Sequence, residues 1–303
     1  MIALLLLFLN NLLPLLIVLT FGIIIHRTLK VDAKPLSQTV FNVFTPALVF
    51  DLLVNAEVPV SELARMALYT ILLALSVICV SWLIGRTLKL EGSALAAFLL
   101  VLTFGNNGNF GMSLIHFALG KEALAFASIF FVASVMILNT IGVYIATVGQ
   151  SSPRDALRGL LRIPTVYVIP VAILIHATGL NIPLAIWRPI ELLSGAAIPS
   201  MLIILGIQIA KTGIPQRTKM LGYALFGRLI LVPALGFILA RSVGLQDAAF
   251  QAGILEAAMP VAVMTSILAI EFDVKPDFVS GAILASTLIS PFTLTPLLAL
   301  LGA

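Results

Sequence analysis

The sequence predicts an all-α integral membrane protein with ten transmembrane helices, built as a 5+5 inverted repeat with broken crossing helices in spans four and nine. Three observations support this fold class: an apolar composition, ten apolar segments of spanning length, and basic residues concentrated in alternate loops. Of the 303 residues, 61% are hydrophobic and 10% are charged, whereas soluble domains carry about 25% charged residues. The mean hydropathy of +1.17 excludes an ordinary soluble domain.

The ten predicted spans follow from the length that a bilayer demands. A helix needs about 20 mostly apolar residues to cross it. Boundaries drawn at charges, glycines and prolines leave, apart from charges near the segment ends, Arg228 inside the eighth segment and Glu256 inside the ninth. The approximate ranges are 4–26, 36–54, 64–85, 93–119, 123–148, 163–180, 187–210, 219–240, 246–270 and 277–300.

The lysines and arginines orient these spans. Of 17 such residues, 12 fall in one set of alternate loops, 4 in the opposite set, and Arg228 within a span. Because positive loops stay in the cytoplasm, both termini are expected on the outer, periplasmic side of the cell (inner) membrane. The net charge of +4 comes from bases scattered singly between apolar blocks. We therefore expect the lipid bilayer, and no nucleic acid, as a partner.

The chain divides into two halves at its most polar connection, "VGQSSPRDALRGLLR". Residues 1–150 form the first five-helix repeat and residues 151–303 the second. From Pro46 to Asn107 is 61 residues, and from Pro199 to Pro260 is also 61. An odd number of helices per half makes the second copy enter from the opposite side, which gives an inverted repeat. A chance alignment of two of the 16 prolines is the alternative.

The stretch "GNNGNFGMSL" places amides and glycines in the middle of span four. Buried amides without partners and glycines within a helix are both unfavourable, so we expect the helix to break there. Paired interruptions in corresponding spans indicate a transporter's binding site at the bilayer midplane, where half-helix N-termini suit an anion and C-termini a cation. The candidate substrate-binding residues are Asn106, Asn107, Gly108, Asn109, Asn139, Pro260 and Val261, and the candidate crossover residues are Pro46, Pro199, Pro260 and Arg228.

Two of these polar residues have more than one interpretation. Glu256 lies four residues before Pro260 and is either a coupling-ion site, together with Asn107, or the structural ion-pair partner of Arg228. Sodium and a proton both stay open as the coupling ion, and no other cofactor or metal site is expected. Asn139 is either an interhelical hydrogen bond or part of the site wall.

The most consistent function is secondary active transport of a small organic anion by alternating access at the midplane. The sequence contains no G-x-x-x-x-G-K-[ST] motif for nucleotide binding. It also has no H-E-x-x-H motif, no paired mid-span aspartates and no facing serine–histidine pair, so an intramembrane enzyme is disfavoured. An anion channel or a uniporter is the alternative.

The residues also resemble a known family. "GNNGNFGMSL", "FTPALVF", "AAIPSMLIILGIQIA" and "AAMPVAVMTSILA" are similar to bacterial members of the auxin efflux carrier family, which includes malate and malonate permeases. The resemblance implies a fold like that of the bile-acid sodium symporters, which place a glutamate near their sodium sites. It also implies a scaffold of spans 1, 2, 6 and 7, with a homodimer interface, and a transport domain of spans 3–5 and 8–10. The expected substrate is a malate- or malonate-like dicarboxylate, with an auxin-like carboxylate as the alternative.

Overall fold

The apolar segments fold into helices throughout the computed structural model, which describes residues 2–56, 58–147, 161–212 and 218–302. These described ranges contain no strand, only one isolated bridge between two backbone segments. We number the helices in chain order. They are α1 (Leu4–Leu29), α2 (Ala33–Val54), α3 (Val60–Thr87), α4 (Gly92–Thr103), α5 (Asn107–Ala146), α6 (Pro164–Thr178), α7 (Leu184–Lys211), α8 (Lys219–Val243), α9 (Asp247–Ala257), α10 (Met264–Glu271) and α11 (Pro276–Leu301).

Seven of the helices in the described ranges are long and apolar enough to cross a membrane: α1, α2, α3, α5, α7, α8 and α11. The others are shorter, with 12 residues in α4 and 15 in α6. The predicted spans therefore differ from single helices at two places. Span four is divided between α4 and α5, and span nine between α9 and α10.

Helix α5 contains a break that its length requires. Its 40 residues would extend about 60 Å at 1.5 Å per residue, about twice the hydrocarbon thickness of a bilayer. Gly120 adopts φ 79° and ψ −164°, a conformation outside the helical region that glycine reaches without steric cost. It separates a segment of residues 107–119 from one of residues 121–146, close to the boundary predicted between spans four and five.

Prolines widen three of the helices. A π-helical turn lies at Phe8–Leu12, at Val40–Phe44 and at Gly227–Leu231. Each is followed two residues later by a proline, at positions 14, 46 and 233. Proline lacks the amide hydrogen and its ring displaces the carbonyl four residues earlier, so the preceding turn opens. The third of these turns carries Arg228.

Four helices pack together on one side of the molecule. Helix α7 packs along α1 and α2, and α6 packs against α2. The closest approach joins Gly22 of α1 to Gly206 of α7, where a Cβ on Gly206 would collide with the backbone carbonyl of Leu19. At the end of α7, Lys211 Nζ donates to Asp32 Oδ1 at 2.7 Å, and this bond lowers the pKa of Asp32.

The other helices surround the two divided spans. Helix α9 packs against α5, and α3 packs against α4, α5 and α8. A continuous apolar core runs through these contacts, with Tyr69, Phe98 and Phe110 among its largest buried side chains. The Tyr69 hydroxyl shares its proton between the carbonyls of Gly236, at 3.2 Å, and Gly253, at 3.1 Å, which ties α3 to α8 and α9.

Candidate functional site at the helix crossover

Two non-helical segments meet inside this core. Helix α4 ends at Thr103 and α5 begins at Asn107, while α9 ends at Ala257 and α10 begins at Met264. Residues 104–106 and 258–263 therefore interrupt their helices, as the sequence predicts. We call this pair of segments the crossover.

The crossover segments pair with each other through their backbones. Gly105 and Val261 form an antiparallel bridge. Asn106 N donates to Pro260 O at 2.7 Å, and Ala262 N donates to Phe104 O at 2.9 Å. The pairing thus centres on Gly105 and Val261, whereas the equal 61-residue spacings place its centre at Asn107 and Pro260. The equal spacings therefore misplace the centre of the backbone pairing slightly, because Asn107 already belongs to the helix that follows the first crossover segment.

Local chemistry explains why the chain leaves the helix here. Pro260 has no amide hydrogen for an α-helix. Gly105 has no Cβ, and a Cβ there would collide with the Arg228 guanidinium. The amide of Val261 donates instead to Ser286 Oγ of α11, at 3.0 Å. The backbone amides of Asn106, Val261 and Ala262 thus find partners outside their own helix, as burial in a membrane requires.

Arg228 holds the ends of both interrupted helices. Its side chain is buried and donates from Nε to Met259 O at 2.7 Å, from Nη1 to Leu102 O at 2.9 Å, and from Nη2 to Ala257 O at 3.1 Å. The Leu102 and Ala257 carbonyls lie at the C-terminal ends of α4 and α9, where a helix leaves acceptors unpaired, and the Met259 carbonyl lies two residues past the end of α9. Among the described residues Arg228 and Glu256 form no salt bridge. The structural ion-pair interpretation is therefore wrong as a direct contact.

Glu256 lies in the last turn of α9 and is fully buried. Its Oε2 accepts a hydrogen bond from Asn107 Nδ2 at 2.7 Å, and the same Nδ2 donates to the Glu256 backbone carbonyl at 2.8 Å. Both amide hydrogens of Asn107 are thereby used. Glu256 Oε1 has no hydrogen-bond partner among the described residues. The carboxylate lies against Gly111, where a Cβ would come within 2.5 Å of Oε2.

A small cavity adjoins this carboxylate. Its volume is about 20 Å³, room for about one water molecule. Glu256, Asn107, Arg228 and Thr103 line it together with residues of α3 and α5. A dicarboxylate does not fit in this space.

The remaining predicted residues divide into those at the crossover and those elsewhere. Asn106 and Asn109 are buried beside Asn107, and Asn106 Nδ2 has no partner among the described residues. Gly108 faces the ring of Phe131, which a Cβ would approach to 2.6 Å. Asn139 donates to Val135 O in its own helix at 2.8 Å, and this cavity does not include it.

The two scaffold prolines lie outside the backbone pairing. Pro46 follows a π-helical turn in α2, and Pro199 lies inside α7 without ending it. Helix α7 packs against the Asn107–Met112 segment that follows the crossover. Pro199 therefore belongs to an element that contacts the site.

Sequence reasoning missed three residues that form the site. Ser286 caps Val261, Gly111 makes room for the Glu256 carboxylate, and Tyr69 ties the surrounding helices. Gly111 was readable in principle, as part of the asparagine–glycine cluster. Ser286 and Tyr69 gave no such signal, because a lone hydroxyl in an apolar helix has many structural explanations.

Comparison with known proteins identifies the family of this chain. A family model described as "Membrane transport protein" matches residues 7–298. The chain belongs to this family. The resemblance to the auxin efflux carrier family is thereby confirmed. Proteins of this family are transporters and not enzymes. Together with the several apolar helices, the family match indicates a multi-pass membrane protein.

Relatives with curated names agree with this assignment. An "Uncharacterized transporter" of Methanothermobacter thermautotrophicus is 24% identical over 86% of both chains. A protein of Rhizobium meliloti named "Putative malonate transporter" is 27% identical, over 84% of this chain and 83% of that one. "Auxin efflux carrier component 8" of Arabidopsis thaliana is 31% identical over a shorter region, 46% of this chain and 40% of the plant protein.

Proposed function

We propose that this protein is a secondary active transporter of a small organic anion that works by alternating access at the crossover. The observation that carries the proposal is the pairing of two interrupted helices at Gly105 and Val261, beside a buried carboxylate. Discontinuous helices of this kind hold the substrate and coupling-ion sites of inverted-repeat transporters.

The architecture that goes with this proposal has ten spans in two inverted halves, residues 1–150 and 151–303. Span four consists of α4 with residues 107–119, and span nine of α9 with α10. Both termini face the periplasm and the protein lies in the inner membrane. The mutual packing of α1, α2, α6 and α7 supports their role as a scaffold. A homodimer interface on this scaffold is part of the proposal and rests on the family resemblance alone. The helices around the crossover form the moving transport domain.

The chemistry of the crossover favours an anionic substrate. The helix that starts at Asn107 has no side-chain cap, so its first N–H groups and the positive end of its dipole are available to an anion. Asn106 adds a buried amide donor that has no partner among the residues that the structure describes. The likeness to a relative named as a malonate transporter favours a malonate- or malate-like dicarboxylate, and an auxin-like carboxylate is the alternative.

The test uses purified protein and then proteoliposomes. A thermal-unfolding screen against carboxylates should give a concentration-dependent rise in melting temperature for the substrate, because a ligand that binds the folded state stabilises it. Vesicles loaded with unlabelled malonate should then take up labelled malonate by counterflow. A channel would pass the label without stimulation by internal malonate, so unstimulated flux contradicts a carrier. Absence of both stabilisation and flux for every carboxylate contradicts the proposed substrate class.

A further inference from the structure

The crossover already contains one positively charged group that belongs to the protein, the Arg228 guanidinium. Arg228 donates three hydrogen bonds of 2.7–3.1 Å to backbone carbonyls at or just past the C-terminal ends of α4 and α9. Each helix C-terminus carries a partial charge of about −0.5, so two of them balance the single positive charge of one guanidinium. The two negative helix ends that would attract a dissolved cation are therefore already neutralised.

Four main-chain carbonyls that could coordinate a cation are occupied as well. Broken helices in transporters coordinate sodium through unwound carbonyls and C-terminal helix ends. Here the carbonyls of Leu102, Ala257 and Met259 bind Arg228. The Glu256 carbonyl accepts from Asn107 at 2.8 Å.

The fixed groups of the described site satisfy the Glu256 carboxylate only in part. Asn107 satisfies Oε2, while Oε1 is buried and has no hydrogen-bond partner in the described part of the chain. The ionisable groups that face Glu256 are Arg228 from α8 and Tyr69 from α3. Arg228 is already committed to the helix ends, and the Tyr69 proton is shared between two carbonyls. An isolated carboxylate buried in this way is costly unless it is neutralised.

The geometry points to Arg228 as a resident cation at the crossover and to a proton on Glu256, in place of sodium, as the exchangeable coupling ion. This inference rests on the proposed transport function. A proton needs no coordination shell and can bind at Oε1 beside the water-sized cavity. Sodium in that cavity would face the guanidinium that lines it. The proton is taken from water on one side and released on the other when the crossover opens there.

Asn107 connects this proton to the substrate. It donates to Glu256 with both amide hydrogens and is the first residue of the helix whose N-terminus faces an anion in the proposed function. Neutralising Glu256 removes a negative charge from the immediate neighbourhood of that helix end. Proton binding and anion binding therefore favour each other, which is the condition for symport.

The first test needs no substrate. Purified protein should unfold at the same temperature in sodium chloride as in choline chloride at equal ionic strength, and a sodium-specific rise would overturn the inference. Infrared spectra should contain the C=O stretch of a protonated carboxyl that disappears in Glu256→Gln. The same spectrum should be unchanged in Glu271→Gln, a matched control because Glu271 is an exposed glutamate at the end of α10. Absence of a Glu256-dependent band from pH 5 to pH 8 would also overturn it.

The second test uses labelled malonate in proteoliposomes with the membrane potential clamped at zero. One proton per substrate corresponds to about tenfold accumulation per pH unit of gradient, since a tenfold ratio equals about 1.4 kcal/mol. Glu256→Gln should lose this accumulation, and the exchange that remains should be independent of pH, whereas Glu271→Gln should keep accumulation. Accumulation driven by sodium alone contradicts the inference while leaving the proposed function intact. Failure of counterflow contradicts the proposed function, and the infrared and sodium measurements still decide the inference.

Discussion

Arg228 offers the most direct test of how the crossover is held together. The change is Arg228→Met, which keeps an unbranched apolar stem and removes the guanidinium. Three short hydrogen bonds to Met259, Leu102 and Ala257 are then lost, and their buried carbonyls have no other described side chain as a donor.

The size of the effect follows from these bonds. A hydrogen bond to a charged group contributes about 1.5–3 kcal/mol, so three of them give a ceiling of about 4–9 kcal/mol. Water entering the adjacent cavity of about 20 Å³ can satisfy one carbonyl and moves the result toward the lower end. A loss of about 4 kcal/mol corresponds to a fall in melting temperature of about 6 °C, given an unfolding entropy of about 2.1 cal/mol/K per residue over the 303 residues.

The assay is thermal unfolding of purified protein in lipid nanodiscs, with folded yield after size-exclusion chromatography as a second readout. Arg228→Lys should fall between the wild type and Arg228→Met, because an ammonium keeps the charge but cannot span the same set of acceptors.

Arg241→Met is the matched control. Arg241 is exposed and stacks on the ring of Phe237 at 4.6 Å, a contact that contributes about 0.5–1 kcal/mol at exposed sites. If Arg228→Met unfolds within error of Arg241→Met, the guanidinium does not stabilise the two helix ends and the reasoning is refuted.

Three further predictions concern topology, the site and the scaffold. Cysteines introduced at Ser152 and Gly302 should react with an impermeant reagent from opposite sides of the membrane, because five spans separate the two positions. Asn107→Leu should abolish anion transport, and it should also lower stability because Glu256 loses its amide donor. Gly206→Ala should destabilise the protein by about 1–3 kcal/mol, since a Cβ there meets the carbonyl of α1.

Each of these has its control. The labelling experiment needs Cys79 replaced first, since that thiol is exposed, and same-side labelling would contradict the inverted repeat. Asn107→Leu is compared with Asn42→Leu, because the Asn42 amide is exposed and donates within its own helix at 2.8 Å. Normal transport by Asn107→Leu would show that the Asn107 amide is only structural. Gly206→Ala is compared with Gly195→Ala on the same helix, where a Cβ meets nothing within 4 Å. Equal stability of these two variants would refute the close helix contact.

The position of Ser152 lies outside the described residues, so labelling there is informative in its own right. The connection that contains it is the joint between the two proposed halves. Its side of the membrane was inferred only from the distribution of 17 lysines and arginines.

Much of the fold could be read from the sequence because it depends on local properties. Apolar length determines which segments become helices in a membrane, and nearly all predicted spans coincide with described helices or with adjoining helix pairs. The interruptions were also predictable, since Pro260 and the glycines around Asn107 act on their own turn. Helix ends moved by a few residues; α2, for example, begins at Ala33 after an Asp32 cap and not at residue 36.

The partners inside the site were decided only by the tertiary structure. Arg228 and Glu256 suggested an ion pair as two opposite charges in neighbouring spans, yet the guanidinium binds the carbonyls of α4 and α9. Backbone acceptors exist at every helix end, so no side-chain pattern distinguishes the ones that Arg228 reaches. Asn139 illustrates the same limit, because its bond to Val135 satisfies the amide without any other helix.

By itself, the sequence determined that this chain is a multi-pass helical membrane protein, where its helices break, and to which family it belongs. The helices and their breaks follow from hydrophobicity, proline and glycine, each of which acts within a few residues, and the family resemblance follows from four short sequence motifs. Only the tertiary structure decided that Gly105 pairs with Val261 and that Asn107 binds Glu256 across 149 positions of chain. Such contacts depend on how distant helices pack, and one residue of register moves a side chain about 100° around its helix to a different neighbour.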